Sequence, residues 1–322
     1  MARVLTGIQS SGKPHLGNIL GAILPAIKMS NDTKDESFFF IADLHSLTTL
    51  RDSDLIKENV YATAAAWLAF GFDTSKNIFY KQSDISEVCE FTWYLNCFTP
   101  YPMLANAHSF KDKSDNLSNV NSGLFTYPVL MAADILMYDA NIIPVGKDQQ
   151  QHVEMTRDIA GHINNVYGEV LVIPESKIDI NVMTIPGTDG RKMSKSYDNC
   201  IDVFLPEKEL KKQIMKIITE TSSLEDKKDP GKCNVFNIYK LIASEAQTKE
   251  LYDLYINGNF GFGTAKKMLL DLILDKFSKN REKYNYLMEN KNLIDKELEI
   301  GARKAKKTAS EVLSRLKNSL GF

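Results

Sequence analysis

The stretch Pro186 to Asn199, PGTDGRKMSKSYDN, sets Lys192 and Lys195 beside Met193, Ser194 and Ser196, after a turn marked by Pro186, Gly187, Asp189 and Gly190. Lysine carries a compact charge on a flexible stem. Two of them on a mobile loop therefore suit phosphates whose charge shifts during a reaction. Alone, the run reads equally well as a solvated basic turn. A second stretch, Gly7 to Asn18, GIQSSGKPHLGN, gives it a partner. Gly7, Gly12 and Lys13 match the opening of a Walker A phosphate loop, which next requires Ser or Thr to hold Mg2+. Pro14 stands there instead. It offers no hydroxyl to the metal and no N–H to the phosphate cradle, so the P-loop reading is set aside. What remains is a strand, a polar glycine turn, and His15-Leu16-Gly17-Asn18 opening an apolar helix. Such a helix start, with an imidazole and exposed N–H groups, suits a polyphosphate. A third feature is Asp134 within TYPVLMAADILMY: Tyr127, Met131 and Asp134 are spaced to share one helical face. A carboxylate in so apolar a helix needs a donor, which either the protein or a ligand can supply.

KMSKS paired with the HLGN variant of an amino-terminal HIGH element resembles the class I aminoacyl-tRNA synthetases. GIQSSG at 7–12, TYPVLMAADILMY at 126–138 and VGKDQQQH at 145–152 are similar to the bacterial-type tryptophanyl-tRNA synthetases, and the resemblance runs over nearly the whole chain. It implies activation of L-tryptophan by ATP, giving tryptophanyl-adenylate and pyrophosphate, then transfer of the acyl group to tRNA(Trp). In that reading Lys192 and Lys195, helped by Lys113 from the loop at 111–122, stabilise the departing pyrophosphate, and His15 donates to the polyphosphate. Gln9, Ser10, Ser11, Gly17, Asn18, Gly146, Lys147, Asp148, Val182 and the loop residues Lys192 to Ser196 surround ATP, which arrives with Mg2+. Asp134 accepts the indole N–H, Tyr127, Met131, Val145 and His45 wall the ring, and Gln149 holds the ammonium or carboxylate. Leu5 stands where relatives can have an aromatic residue, and Lys147 where some have an acid. The resemblance further implies a homodimer. Two alternatives stay open: a tyrosyl-tRNA synthetase, which shares the fold and both signatures, and an inactive nucleotide- or RNA-binding paralogue.

With 322 residues, 43% of them hydrophobic, the chain is long enough for a sizeable core. A formal charge of −2 argues against nucleic-acid binding along the whole surface. Any tRNA contact must come from a local patch, and DNA is not an expected partner. Cys89, Cys97, Cys200 and Cys233 form no Cys-x-x-Cys pair, which suits a reducing cytoplasm and neither zinc nor a disulfide scaffold. Some relatives carry a cysteine-bound iron–sulfur cluster near the anticodon region; Cys233 stands alone there, so none is expected. Met1-Ala-Arg runs straight into a strand with no signal-like segment, and Pro25 and Asp134 interrupt the longest apolar runs. A cytoplasmic protein without membrane spans is the expectation.

These residues need elements to position them. The pattern predicts strands at 3–7, 37–42, 77–81 and 142–145, alternating with helices at 17–29, 54–70 (capped by Ser53), 86–98, 103–110 and 128–139, and another starting at Gln149. Such βαβ alternation predicts a Rossmann-like parallel sheet with helices on both faces, its ligands beyond the carboxyl ends of the strands. Gly7–Gln9, Asp43–His45 and Gly146–Asp148 all fall at those ends. After Ser196 the chain reads as helices at 206–219, 235–243, 246–255, 263–287 and 296–320. The expected organisation is a catalytic domain over 1–185 with the loop 186–199, a helical tRNA anticodon-binding region over 200–295, and a terminal helix over 296–322 returning to the catalytic domain. In that helix Arg303, Lys304, Lys306, Lys307, Arg315 and Lys317 outnumber the acids. They form either a solvated face or a tRNA-phosphate contact.

Overall fold

The strand Glu36–Ala42 (β2), ESFFFIA, is buried at every position after the first because both its faces are covered. Phe38, Phe40 and Ala42 enter one core cluster, and Phe39 and Ile41 the other. Uninterrupted apolar sequence is what a central strand of a parallel sheet requires. A computed structural model describes residues 2–32, 35–107, 110, 120–146, 149–178 and 184–322. Among these, β2 pairs in parallel with Arg3–Gln9 (β1) and Ile78–Lys81 (β3). Ile142–Val145 (β4) lies beyond β1, and Glu175–Ile178 (β5) beyond β4, giving the order β3-β2-β1-β4-β5. The order reverses direction at β1. Strands β1 and β4 are in register only at Val4 and Ile142, so the sheet parts toward their carboxyl ends. A crevice at such a reversal is where open α/β sheets place ligands.

Several elements differ from expectation, each for a local reason. The helix at HLGN runs as Leu16–Asn18 (α1), a π-helical segment Ile19–Ile23, then Leu24–Asp32 (α2). In a regular helix the Pro25 ring would meet the carbonyl of Gly21, and the wider π turn falls at that point. The helix Ser53–Ala69 (α4), which follows the short Asp43–Ser46 (α3), is capped by Asp52: its Oδ1 accepts from Asp54 and Leu55 N–H at 3.0 and 2.9 Å. After Glu87–Phe98 (α5), the start of the helix expected at 103–110 falls in Tyr101–Ala105 (α6), with proline in its first turn, while residues 108 and 109 lie outside the described residues. The helix carrying Asp134 is Ser122–Leu136 (α7), six residues earlier at its start than expected. Asn121 caps it through Leu124 N–H at 3.0 Å, and Pro128 lies inside rather than at the start. β5 was missed because ESKI is short and polar. Gln149 immediately precedes Gln150–Tyr167 (α8) and makes no side-chain bond to its first-turn N–H groups.

The carboxyl-terminal region is helical: Glu207–Met215 (α9), Asn234–Ile242 (α10), Glu245–Asn257 (α11), Phe262–Lys276 (α12), Ser278–Glu289 (α13) and Lys291–Leu320 (α14). The single helix expected at 263–287 is two, broken at Phe277, and α14 begins five residues before its expected start. α14 straddles both cores. Ile294 and Leu298 pack in one cluster, and Ala305, Ala309, Val312, Leu313 and Leu316 in the other. Between them Gly301 crosses the edge strand β3, where a Cβ would stand 1.8 Å from the Phe79 carbonyl oxygen. Lys306 pairs with Glu87 at 3.5 Å, Lys317 with Glu90 at 2.7 Å, and Arg315 with Asp139 and with the Val170 carbonyl at 2.7 Å. Half of the basic residues singled out on this helix therefore dock it on the sheet domain. Gly301→Ala is expected to cost about 1–3 kcal/mol, because the backbone contact leaves nowhere for a methyl group. Thermal melts should show a clear drop for Gly301→Ala and none for Lys304→Ala at an exposed position; equal melting temperatures would contradict the close crossing.

Candidate active site

A cavity of about 690 Å³ opens where β1 and β4 part. Tyr127, Met131 and Asp134 from α7 face it together with His45 from α3, as the helical spacing predicts. Gln9 at the end of β1, Val145 and Gly146 at the end of β4, and Gln149 before α8 also line it, whereas Ser10, Ser11, Gly17 and Asn18 do not. Leu5 also lines the cavity. Sequence reading missed the opposite wall, where Gly21, Ala22, Pro25, Ala26 and Met29 project from the π segment and α2, and Lys177 from β5. The only available signal was the alternation of small residues along an apolar helix, which ordinary packing also produces.

Asp134 is 3% exposed and satisfied by side chains, neither a backbone N–H nor an arginine. His45 Nε2 lies 2.9 Å from Oδ2, and Gln82 Nε2 lies 2.9 Å from Oδ1 and 2.8 Å from Oδ2. Burial pushes the Asp134 carboxyl above its ordinary range, and the bonds from His45 and Gln82 pull it back. A carboxylate accepts through about four lone pairs, so three donor contacts leave room for a ligand N–H. Tyr127 and Gln149 are tied through His152: the phenol oxygen lies 3.1 Å from Nε2, and Gln149 Oε1 lies 2.9 Å from Nδ1. An amide oxygen only accepts, so Nδ1 carries a proton, and in the neutral ring Nε2 accepts from the phenol. That fixes the Gln149 amide at the cavity rim.

The two signatures meet at the mouth. His15 caps α1, its Nδ1 accepting from Asn18 N–H at 3.3 Å while Asn18 Oδ1 accepts from His15 N–H at 3.1 Å. With Nδ1 an acceptor, the neutral ring bears its proton on Nε2. Burial, then the charge of Lys195, lower the His15 pKa to about 4. His15 is thus both a cap and a neutral donor. A Cβ on Gly17 would lie 3.0 Å from the His15 ring and 3.3 Å from Met193 Cβ, and Gly17 N–H points at Met193 Sδ at 3.2 Å. A Cβ on Gly12 would lie 2.7 Å from Lys195 Nζ. The loop's second lysine therefore lies across the glycine turn, where desolvation lowers its pKa.

Asn199 holds the loop from within. Its Oδ1 accepts from Ser194 N–H at 2.7 Å, and its Nδ2 donates to Asp189 Oδ1 at 2.7 Å and Lys192 O at 3.1 Å. The ammonium groups of Lys192 and Lys195 have no ion-pair partner among the described residues, and Ser196 is exposed. Ser11 is exposed, whereas the Ser10 side chain is fully buried, its hydroxyl 3.2 Å from that of Ser46. Lys113, Lys147, Asp148 and Val182 lie outside the described residues. Because the unfolded histidine takes a proton near pH 6.5 and the folded one only near 4, burying His15 neutral costs stability as pH falls from 6.5 toward 4. His15→Asn keeps a capping oxygen and should flatten the acid side of a Tm-against-pH curve; an unchanged curve would remove His15 as its cause.

A profile describing class I tRNA synthetases (W and Y) matches residues 1–278. The chain belongs to that family. Within it, the chain is 46% identical over 320 residues to the tryptophan–tRNA ligase of Campylobacter jejuni (strain RM1221), covering 99% of this chain and 100% of that one. It is 43% identical over 321 residues to that of Rhodopirellula baltica, covering 99% of each. The fold matches the crystal structure of the tryptophanyl-tRNA synthetase of C. jejuni complexed with ADP and tryptophan, with a TM-score of 0.96 at 46% identity over 99% of this chain and 100% of that one. The tyrosyl-tRNA synthetase of Archaeoglobus fulgidus, complexed with L-tyrosine, shares the class I synthetase fold alone: 18% identity, TM-score 0.64, 88% of this chain and 90% of that one.

Proposed function

We propose that this chain is a tryptophan–tRNA ligase, carried above all by full-length identity to enzymes of that name together with a cavity lined by the residues expected to hold tryptophan. A carboxylate oxygen of bound tryptophan attacks the α-phosphorus of ATP. The new C–O–P bond forms as the bond to the bridging oxygen breaks, and pyrophosphate leaves with that electron pair. No proton moves in this step. A carboxylate is already a nucleophile at neutral pH, so rate comes from positioning and charge neutralisation. Asp134 accepts the indole N–H, Tyr127, Met131, His45 and Val145 bound the ring, and Gln149 holds the α-ammonium or carboxylate. Gln9, Gly17, Gly146 and the residues around them receive ATP, with Mg2+ entering as part of that substrate. His15 Nε2–H, Lys192 and Lys195 meet the charge that grows on the leaving phosphates, with Lys113 alongside them. A ribose hydroxyl of tRNA(Trp) then attacks the acyl carbon and gives up its proton as the acyl–phosphate C–O bond breaks, and AMP departs with that electron pair.

The same proposal assigns residues 1–185 to catalysis with the loop 186–199 above them, and the helices over 200–295 to the tRNA anticodon. It places the enzyme in the cytoplasm as a homodimer. Trp93 and Tyr101 support the dimer, because they are 68% and 71% exposed on α5 and α6. Tyr101 also packs against Phe125, with ring centroids 5.5 Å apart. Large exposed aromatic side chains are enriched at protein interfaces. Sedimentation should show a dimer that Trp93→Glu with Tyr101→Glu converts to monomer; a wild-type monomer at micromolar concentration would refute it. Exchange of labelled pyrophosphate into ATP, run with each of the twenty amino acids, tests the activity. Tryptophan alone should stimulate it, whereas stimulation by tyrosine, or by none, would overturn the assignment.

A further inference from the structure

Gln82, at the carboxyl end of β3, is 1% exposed and was not among the predicted site residues. Its amide is engaged at both ends. Oε1 accepts from Leu44 N–H at 3.1 Å, while Nε2 faces both oxygens of Asp134 at 2.9 and 2.8 Å. Only a side chain that accepts and donates can serve both neighbours. The turn that carries it is itself held. Asp43 accepts from Ser83 N–H at 3.0 Å and from the Ser83 hydroxyl at 2.5 Å, which fastens the turn after β3 to the turn after β2. Gln82 therefore reaches Asp134 from a frame independent of α7.

We propose that Gln82 is a specificity-positioning residue, which fixes the Asp134 carboxylate so that Oδ1 keeps a lone pair for the indole N–H of tryptophan. The inference rests on the reading of Asp134 as the indole acceptor. Oδ2 has two donors, His45 and Gln82, while Oδ1 has Gln82 alone, so Oδ1 is the oxygen with capacity left. His45 by itself would leave the carboxylate free to turn, since the torsion at its end is broad. A second donor from another element removes that freedom. Gln82 also opposes the effect of burial by favouring the charged acceptor over the protonated acid.

Two substitutions with opposite pH behaviour test this. The readout is the ratio of kcat/KM for tryptophan to that for an analogue with sulfur in place of the ring nitrogen. His45 from α3, Asp43 at the start of α3, Tyr80 from β3 and Tyr138 after α7 face the Asp134 carboxylate in every variant, so the wild-type profile is the reference. Gln82→Met is expected to lower the ratio about tenfold or more near pH 8, and further near pH 6, as Asp134 protonates and ceases to accept. The KM for ATP stays near the wild-type value. In Gln82→Glu two carboxylates oppose each other until they share a proton, so the ratio recovers as pH falls. Added to Asp134→Ala, which leaves no acceptor to position, Gln82→Met should cause no further loss. A flat ratio in Gln82→Met, parallel pH slopes in the two variants, or an undiminished loss in the Asp134→Ala background each overturns the proposal. Should Gln82→Met not fold, the slope of Gln82→Glu decides alone. A ratio left intact by Asp134→Ala overturns the Asp134 reading as well, whereas a ratio that collapses in Asp134→Ala and survives in Gln82→Met overturns only the role of Gln82.

Discussion

Lys195→Ala is expected to lower kcat for tryptophan-dependent pyrophosphate exchange by about 10²- to 10³-fold while leaving the KM for tryptophan nearly unchanged. The ammonium lies over Gly12, beside the helix start that carries His15, and away from the cavity lined by Asp134. A charge in that place meets the phosphates as their bond breaks and has little to offer bound tryptophan. The loss should therefore fall on kcat and kcat/KM together, as it does for a contact made only in the transition state. The substitution also relieves His15 of a nearby positive charge, so its depressed pKa should rise toward the ordinary value, which NMR titration of the ring can follow. An unchanged kcat would remove Lys195 from the chemical step, and a loss confined to KM would make it a ground-state binding group.

Asp134→Ala is expected to raise the KM for tryptophan and to narrow its advantage over phenylalanine and over the sulfur analogue, an advantage that can reach about 10⁴-fold where a buried group is built to pair with a ligand N–H. Alanine has a second effect, because it leaves Gln82 Nε2 and His45 Nε2 without their acceptor in a buried site. Asp134→Asn separates the two. Its carbonyl can still accept, without a charge, so part of the discrimination should survive. With ATP as the varied substrate, KM should stay near wild type in both variants. If Asp134→Ala leaves the tryptophan to sulfur-analogue ratio intact, the carboxylate is a core group satisfied by its own protein, and the indole must be read from elsewhere in the cavity.

Those residues were legible in the sequence for unequal reasons. Asp134 stood out because a charge in an apolar helical run needs a partner, but the partners were not visible. Gln82 and His45 lie 52 and 89 residues away and arrive by strand order, which local pattern does not encode. β2 was legible because burial on both faces leaves a run of phenylalanine; β5 was not, because an edge strand of four polar-leaning residues lacks both run and alternation. The start of α7 was misplaced because Pro128 is a strong local mark, yet Asn121 supplies a cap seven residues earlier and the helix tolerates the proline within it. The terminal helix was foreseen by its periodicity, although no pattern of charges announced that three of its basic residues would be spent on Glu87, Glu90 and Asp139.

That helix has a consequence for how the chain is made. Unpaired strand edges invite pairing with other chains, and β3 is an edge whose cover, around Gly301, lies far downstream in the sequence. The hydrogen bond from Thr74 to Glu297 spans 223 residues of sequence, so it closes only after nearly everything between has been synthesised. Until then the nascent sheet presents β3 and the apolar stripe that Ala305 to Leu316 will fill. Aggregation during synthesis, more than loss of any one contact in the finished molecule, is therefore the hazard that truncations within α14 would bring.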